Sequence, residues 1–153
     1  GASVRDWGKA GRARFLVSPG LNEDLRVKGE GVLTLTTVRS HDQYNTTIYG
    51  YSDRYRGVEG RRDVVFMNPQ DMRERGLAHG DRIDIESCLV SEEDPGQRAV
   101  RGFTAVEYAM PRGSVAMYFP EGNVLVPLDC HDAQSGTPGY KSIPVRIGAA
   151  ADA

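Results

Sequence analysis

Short runs of apolar residues alternate along the chain with clusters of glycine, proline and polar side chains. Residues 82–86 alternate polar and apolar positions, which indicates a strand with one buried face. Residues 63–67 form a continuous apolar run after an aspartate and predict a strand buried on both faces. Further strand candidates are the apolar runs at residues 13–17, 32–38, 98–110, 114–119, 124–128 and 142–147.

The cap, turn and breaker residues between these runs predict one helix and a closed barrel. Asn68 is a preferred N-cap, Pro69 suits the first helical position, and Gly76 is a stop signal. Gly102 interrupts the longest run and predicts a β-bulge. Pro144 cannot donate a ladder hydrogen bond, which favours an edge position for the last strand. Seven or eight short strands with one short helix favour a closed β-barrel.

The most polar part of the chain is residues 37–47, at the end of the strand predicted at 32–38. It contains a single aliphatic side chain, Val38, among hydroxyls, amides, an imidazole and a phenol. Such groups offer donors and acceptors at fixed reach. We interpret the segment as a strand end and loop that binds a polar ligand with several rings. The alternative is a polar turn whose side chains cap its own backbone.

Two more polar segments, residues 119–123 and 137–141, are expected to join it at one mouth of the barrel, where ligands commonly bind. Tyrosines there can lie against planar rings, amides can hydrogen-bond ring edges, and basic side chains can neutralise phosphate. A ligand with fused rings and a diphosphate would use all of these groups. In this interpretation the candidate binding residues are Arg39, Gln43, Tyr44, Asn45, Asn123, Tyr140 and Lys141.

Residues 51–62 carry four arginines among glycines and tyrosines and predict a loop. The planar guanidinium group matches phosphates and carboxylates. For each arginine taken singly, solvated surface charge is the simpler interpretation.

Composition limits the classes of partner. The 153 residues suffice for one domain, and 19 basic against 21 acidic residues argue against nucleic-acid binding. No apolar run approaches 18 residues, so we expect no membrane span. Cys88 and Cys130 are too few for a disulfide framework and indicate reduced thiols in a cytoplasmic protein. The three histidines show no metal-ligand spacing with them.

No independent catalytic centre is expected. The adjacent Ser40, His41 and Asp42 cannot converge as a triad, and the sequence lacks the common glycine-rich phosphate loops. One alternative is a self-processing enzyme that is cleaved between Gly113 and Ser114 and converts the serine to a pyruvoyl group, although an ordinary turn is the simpler interpretation. Another is a free-standing barrel that acts as a protein-interaction module.

Four motifs in order resemble the C-terminal dinucleotide-binding domain of molybdopterin oxidoreductases, in particular their formate-dehydrogenase-like branch. The first lies in residues 35–50 and includes Arg39-Ser40-His41-Asp42-Gln43-Tyr44-Asn45-Thr46-Thr47. The others are residues 53–62, residues 119–125 with 137–141, and a strand-helix-turn unit at 68–81. The resemblance covers residues 9–147.

The resemblance implies a mainly β fold, a six-stranded double-psi β-barrel with one or a few short helices, over residues 9–148. Residues 1–8 would be a tag or linker and residues 149–153 a disordered tail. It implies one domain of a larger enzyme that carries molybdenum or tungsten on two molybdopterin guanine dinucleotides, with the remaining domains of that enzyme as partners. The isolated domain would be inactive and hold no cofactor, and the metal ligand would belong to another domain.

The resemblance also implies which residues contact the cofactor. In the family, the loop matching residues 37–47 contacts the pterin and the diphosphate, and later segments add further contacts. A histidine stands at the position of Gln43 in formate dehydrogenases proper, and this departure argues against formate as the substrate. The implied cofactor-binding residues are Thr37, Arg39, Gln43, Tyr44, Asn45, Thr46, Thr47, Asn123, Tyr140 and Lys141.

Overall fold

The computed structural model describes residues 29–44, 50–93 and 95–151. The strand predicted at residues 13–17 and the predicted cofactor contacts Asn45, Thr46 and Thr47 lie outside the described residues. No helix in the described part is long and apolar enough to cross a lipid bilayer. The elements are β1 (Leu33–Val38), β2 (Val64–Met67), α1 (Pro69–Glu74), β3 (Arg82–Ser87), β4 (Ala99–Glu107), β5 (Ser114–Tyr118), a 3-10 helix (Glu121–Leu125) and β6 (Ile143–Ala149).

The six strands close into a barrel in the order β1-β5-β2-β4-β3-β6. The pairs β1–β5 and β2–β4 are parallel, and the other neighbouring pairs are antiparallel. Each strand therefore has a hydrogen-bonded neighbour on both sides, and the sheet has no open edge. The prediction of a mainly β fold with a closed six-stranded barrel and a short helix is confirmed.

The strand β2 is buried on both faces, as its continuous apolar run predicts. Val65 and Met67 belong to the main apolar cluster, to which all six strands contribute. Val64 and Phe66 point to the opposite face and pack in a second cluster with Tyr118 and other residues. Val58 belongs to this second cluster, so the loop of residues 50–62 covers the outside of the barrel at β2 and β5.

The helix α1 begins and ends at the residues that the sequence predicts. The side-chain oxygen of Asn68 accepts hydrogen bonds from the amides of Gln70 (2.8 Å) and Asp71 (3.4 Å). The helix is followed by Gly76 with φ +66°, a conformation that favours glycine. The Nδ2 of Asn68 donates to the carbonyl of Met110 at 2.6 Å, which joins the helix to the segment after β4.

The predicted bulge at Gly102 is present. Its φ is +63°, and the pairing of β3 with β4 shifts register between Ile83 and Ile85. Gly102 also lets β4 pass close to a side chain, because a Cβ at this position would lie 3.2 Å from Nη2 of Arg82.

The apolar run at residues 124–128, counted among the candidate strands, does not form one. Its first two residues end the 3-10 helix Glu121–Leu125. Leu125 and Val126 are buried and join the main apolar cluster, so they close one end of the barrel instead of pairing with a strand.

The prediction that the last strand is an edge is wrong. β6 pairs with β1 on one side and with β3 on the other. Pro144 lies next to the start of the strand, where its carbonyl accepts from the amide of Cys88 at 2.8 Å and its missing N–H is tolerated. The strand extends to Ala149, and the amide of Ala150 donates to Arg82 at 2.8 Å. Hydrogen bonding thus continues to Ala150.

We predict that Asn68→Ala lowers the free energy of unfolding by about 1–2 kcal/mol, because it removes the helix cap. It also leaves the carbonyl of Met110 without its side-chain donor. The measurement is urea unfolding of the chain. Gln70→Ala is the control, since its exposed side-chain amide has one hydrogen-bond partner in the described part, Glu74 at 3.3 Å. Equal losses of stability in the two variants would contradict the capping role.

Candidate functional site

The directions of the strands bring several loops to one end of the barrel. β1 and β5 are parallel, so both finish at this end. β6 is antiparallel to β1 and β2 is antiparallel to β5, so the residues before Ile143 and Val64 reach the same end. We call this end the rim and define it by residues 37–44, 119–123 and 137–141.

The three rim segments contact one another directly. The amide of Phe119 donates to the carbonyl of Val38 at 2.8 Å, and the amide of Thr37 donates to the carbonyl of Tyr140 at 3.0 Å. Nζ of Lys141 donates to the carbonyl of Thr37. The rings of Phe119 and Tyr140 pack edge to face with centroids 5.8 Å apart. The polar segments that the sequence analysis groups at one barrel mouth therefore meet there, within the described residues.

Arg62 lies beneath the rim and is only 5% exposed. Its Nη1 donates to Oγ of Ser40 (2.9 Å) and to the carbonyl of Gly50 (3.1 Å). Its Nη2 donates to Oε1 of Gln43 (3.1 Å) and to the carbonyl of Phe119 (2.8 Å). Its Nε and Nη2 pair with the two carboxylate oxygens of Glu121 at 2.5 and 3.1 Å. The interpretation of this arginine as solvated surface charge is wrong.

Gln43 is buried and joins two of the rim segments through hydrogen bonds. Its Oε1 accepts from the amide of Ser40 at 3.2 Å and from Arg62, while its Nε2 donates to the carbonyl of Phe119 at 2.8 Å. These bonds occupy the carbonyl oxygen of its side chain and one of its two N–H donors. Contact between Gln43 and a cofactor stays a prediction.

Thr37 is 2% exposed and packs against the 3-10 helix. A Cβ on Gly122 would lie 3.0 Å from Cγ2 of Thr37 and 3.5 Å from Cβ of Met117, so only a glycine fits there without displacement. The next residue, Asn123, has a buried side-chain oxygen, Oδ1, that has no hydrogen-bond partner among the described residues. An acceptor atom in this state is costly unless another molecule supplies a donor.

The other predicted site residues that the structure describes are accessible at the same end. Tyr44 is 76% exposed. Arg39 is exposed, and its carbonyl accepts from Arg56 at 3.1 Å, while its guanidinium has no partner in the part of the chain that the structure describes. A cavity of about 280 Å³ opens beside Tyr140 and Lys141 and is also lined by Cys130. The rim thus combines an acceptor, two basic side chains and two tyrosines.

A second polar network lies on the outer side of β5. Asp53 is 1% exposed, and its Oδ2 accepts from Nη1 of Arg56 at 2.5 Å and from the hydroxyl of Tyr118 at 3.0 Å. Burial raises the pKa of Asp53, but the hydrogen bonds from Arg56 and Tyr118 and the charge of Arg56 outweigh it, so the pKa lies below its usual value. Burial and the bond to Asp53 raise the pKa of Tyr118 far above its usual range.

A larger cavity, of about 900 Å³, lies between the α1–β3 turn and the end of β6. Its arginines are already paired, Arg82 with Asp63 at 3.3 Å and Arg101 with Asp84 at 3.2 Å. Because these charges are compensated within the chain, the rim remains the better candidate site. No group of three or more metal-ligating side chains occurs among the described residues.

Sequence reasoning missed the residues that hold the rim together. Arg62, Glu121 and Asp53 show little spacing signal, since their partners lie 12 to 65 positions away, apart from Arg56, which lies three positions from Asp53. The available signal is local: Arg62 directly precedes the polar-to-apolar transition into β2, where a long side chain can lie beside a buried strand.

Comparisons with known proteins give a family model and several relatives that match the chain. A family model described as "Molydopterin dinucleotide binding domain" matches residues 33–144. Protein YdeP of Escherichia coli is 45% identical over 147 residues, which are 95% of this chain and 19% of that protein. An uncharacterized oxidoreductase of Mycobacterium tuberculosis is 55% identical over 122 residues, 76% of this chain and 15% of that protein. The chain thus spans a fifth or less of the curated relatives it matches.

A solved structure shares the fold. Acetylene hydratase from Pelobacter acetylenicus aligns with a TM-score of 0.53 and 16% identity over 78% of this chain and 18% of that enzyme. At this identity the likeness supports the barrel architecture and nothing finer.

We predict that Gly122→Ala lowers the free energy of unfolding by about 1–3 kcal/mol, because the added methyl overpacks against the buried Thr37. Gly148→Ala is the matched control, since a Cβ there meets no described atom within 4 Å, and we expect a change within about 0.5 kcal/mol. Chemical unfolding measures both, and equal stability of the two variants would contradict the tight packing at the rim.

We predict that the free energy of unfolding falls less steeply in acid for Asp53→Asn than for the wild type. The pKa of Asp53 is lowered in the folded protein, so its contribution is fully present above the unfolded value of about 3.9 and is lost as pH falls through the lower folded value. The variant should be less stable than wild type at pH 7 and should show a shallower decline below about pH 4. Urea unfolding at several pH values tests this. An equal fall of the unfolding free energy with pH in the two proteins would refute it.

Proposed function

Because the chain belongs to the molybdopterin dinucleotide-binding domain family, we propose that it is the cofactor-binding domain of a larger oxidoreductase and is inactive alone. The parent enzyme would hold molybdenum or tungsten on two molybdopterin guanine dinucleotides in the cytoplasm. The chain's small share of its curated relatives supports a multidomain parent. The formate-dehydrogenase-like motifs at residues 35–50 and 119–125 support that branch, while Gln43 argues against formate as the substrate.

The observation that carries the proposal is the unpartnered oxygen of Asn123. Its Oδ1 is buried at the rim and has no hydrogen-bond partner among the described residues. The pterin and guanine rings of the cofactor carry N–H groups that such an acceptor can bind. The side chain therefore fits the group that the family implies.

The charges of the rim fit the rest of the cofactor. A dinucleotide carries a diphosphate, and Arg39 and Lys141 are the basic residues within the rim segments of the described part. Arg39 has an exposed guanidinium that can donate two parallel hydrogen bonds to phosphate oxygens. Lys141 contributes a point charge close to the carbonyl of Thr37. Tyr44 and Tyr140 offer ring faces for the planar parts of the ligand.

These assignments separate the role of the cofactor from the role of the chain. When bound, the cofactor supplies the metal and the redox chemistry. This chain binds the pterin and nucleotide through Asn123, neutralises the diphosphate through Arg39 and Lys141, and covers that end of the cofactor from water. None of these roles includes a proton or electron transfer by the chain's own side chains, which supports the inactivity of the isolated domain.

We predict that Asn123→Ala, made in the full-length reading frame, lowers the retention of molybdopterin by about 5- to 15-fold. The loss corresponds to one hydrogen bond of about 1–1.5 kcal/mol to a buried acceptor. The pterin is measured as its fluorescent oxidised form per mole of purified protein at limiting cofactor. Gln70→Ala, an exposed amide at the opposite end of the barrel, should retain the wild-type amount.

Two results would contradict the proposal. A full-length wild-type protein without any pterin would refute cofactor binding. Equal pterin content in Asn123→Ala and wild type would remove Asn123 from the site.

A further inference from the structure

Two of the three rim segments are hydrogen-bonded to one side chain that belongs to none of them. Arg62 precedes β2, yet its guanidinium contacts Ser40 and Gln43 in the first segment and Phe119 and Glu121 in the second. Its guanidinium carbon also lies 4.8 Å from the ring centroid of Tyr118, at the end of β5. The arginine therefore fixes the distance between the loop after β1 and the 3-10 helix after β5.

The same contacts fix the side chains proposed to bind the cofactor. Glu121 begins the 3-10 helix that carries Asn123, and the amide of Asn123 donates to the carbonyl of Pro120 at 2.8 Å. Phe119, held by Arg62 through its carbonyl, packs its ring on Tyr140. A change in the position of the guanidinium therefore moves Asn123 and Tyr140 relative to the loop of residues 37–44.

Arg62 itself is unsuited to touch the cofactor. It is 5% exposed, its charge is balanced by Glu121, and its N–H groups are directed at protein acceptors. A phosphate would gain little from a guanidinium that is already paired and buried. Its influence on binding must act through the residues it holds.

We propose that Arg62 is a positioning residue for the cofactor, with Glu121 as its counter-ion, and that it holds the rim in the binding geometry before the cofactor arrives. The inference rests on the proposed function and deepens it. Pre-organised groups bind more tightly because no ordering cost is left for the ligand to offset. Lysine cannot replace this arginine, since an ammonium has three donors and lacks the planar fork that reaches acceptors on both segments.

The test uses the full-length protein as wild type, Arg62→Lys and the control Arg61→Lys. Arg61 is the neighbouring arginine, but its side chain is 39% exposed and pairs with Asp63 on the side of the barrel. A second control, Ile85→Val, lowers stability through the core at β3, a strand that pairs with β4 and β6 and is hydrogen-bonded to neither β1 nor β5. The readouts are the rate of pterin release after dilution, the circular dichroism of the bound pterin, and hydrogen exchange of the cofactor-free protein.

We expect Arg62→Lys to release pterin at least tenfold faster and to alter the dichroism of the pterin it retains. Its hydrogen exchange should rise in both residues 37–44 and 119–123. Arg61→Lys and Ile85→Val should stay within twofold of wild type in release rate, although Ile85→Val melts at a lower temperature. Release by Arg62→Lys within twofold of Arg61→Lys would overturn the inference. So would equal acceleration in Ile85→Val, which would mean that lost stability alone explains the effect.

Two further outcomes separate this inference from the proposed function. If wild type holds no pterin, the proposed function fails, and hydrogen exchange alone decides the role of Arg62: unchanged exchange at either segment overturns it, and raised exchange at both supports it as the residue that orders the rim. If Arg62→Lys does not fold, Glu121→Gln replaces it, since this variant keeps the shape and loses the counter-charge. It should raise exchange at residues 119–123 and speed release, and wild-type behaviour in both would overturn the inference.

Discussion

A buried guanidinium needs an acceptor for nearly every N–H group, and this requirement organises the rim. Arg62 meets it with a carboxylate, an amide oxygen, a hydroxyl and two backbone carbonyls from separate parts of the chain. Leaving any of these groups unpaired would cost about 1–3 kcal/mol, and more for the charged ones. The segments at the rim are therefore held in one arrangement although most of their residues lie outside strands and helices.

The barrel supplies the frame in which this network can form. Parallel pairing of β1 with β5 brings the ends of two strands, far apart in sequence, to the same place, and closure by β6 brings in residues 137–141. The second apolar cluster, with the network of Asp53, Arg56 and Tyr118, fixes the loop of residues 50–62 to the outside of β5. Arg62 reaches the rim because this loop is anchored.

The parts of the fold that the sequence predicts well are those with local causes. The alternation in β3, the double-faced burial of β2 and the cap at Asn68 depend on neighbouring residues, and each is present. Pro144 was misleading because the edge rule assumes an open sheet, whereas near the start of a strand in a closed barrel the missing N–H can be tolerated. The apolar run at residues 124–128 was misleading because burial there comes from closing the barrel end.

The candidate site also has some parts that the sequence predicts and others that it does not. The three polar segments could be predicted because their composition is unusual, and they do meet at one end. The residues that join them could not, because an ion pair between the buried Arg62 and the partly exposed Glu121 has the same sequence appearance as two solvated charges. Only the three-dimensional path of the chain distinguishes the two.

The state of Asn123 connects this architecture to binding. The oxygen of Asn123 is buried without a partner among the described residues, on the 3-10 helix that Glu121 begins and that Arg62 contacts through this carboxylate. A flexible segment would relax until that acceptor found a donor or water, which removes the cost of an unpaired group. Rigidity and an unmet acceptor therefore belong together: the internal bonds of the rim offset the cost, and a ligand with an N–H group at that position recovers it as binding energy. Under the proposed function, this is how the rim contributes to the affinity for the cofactor.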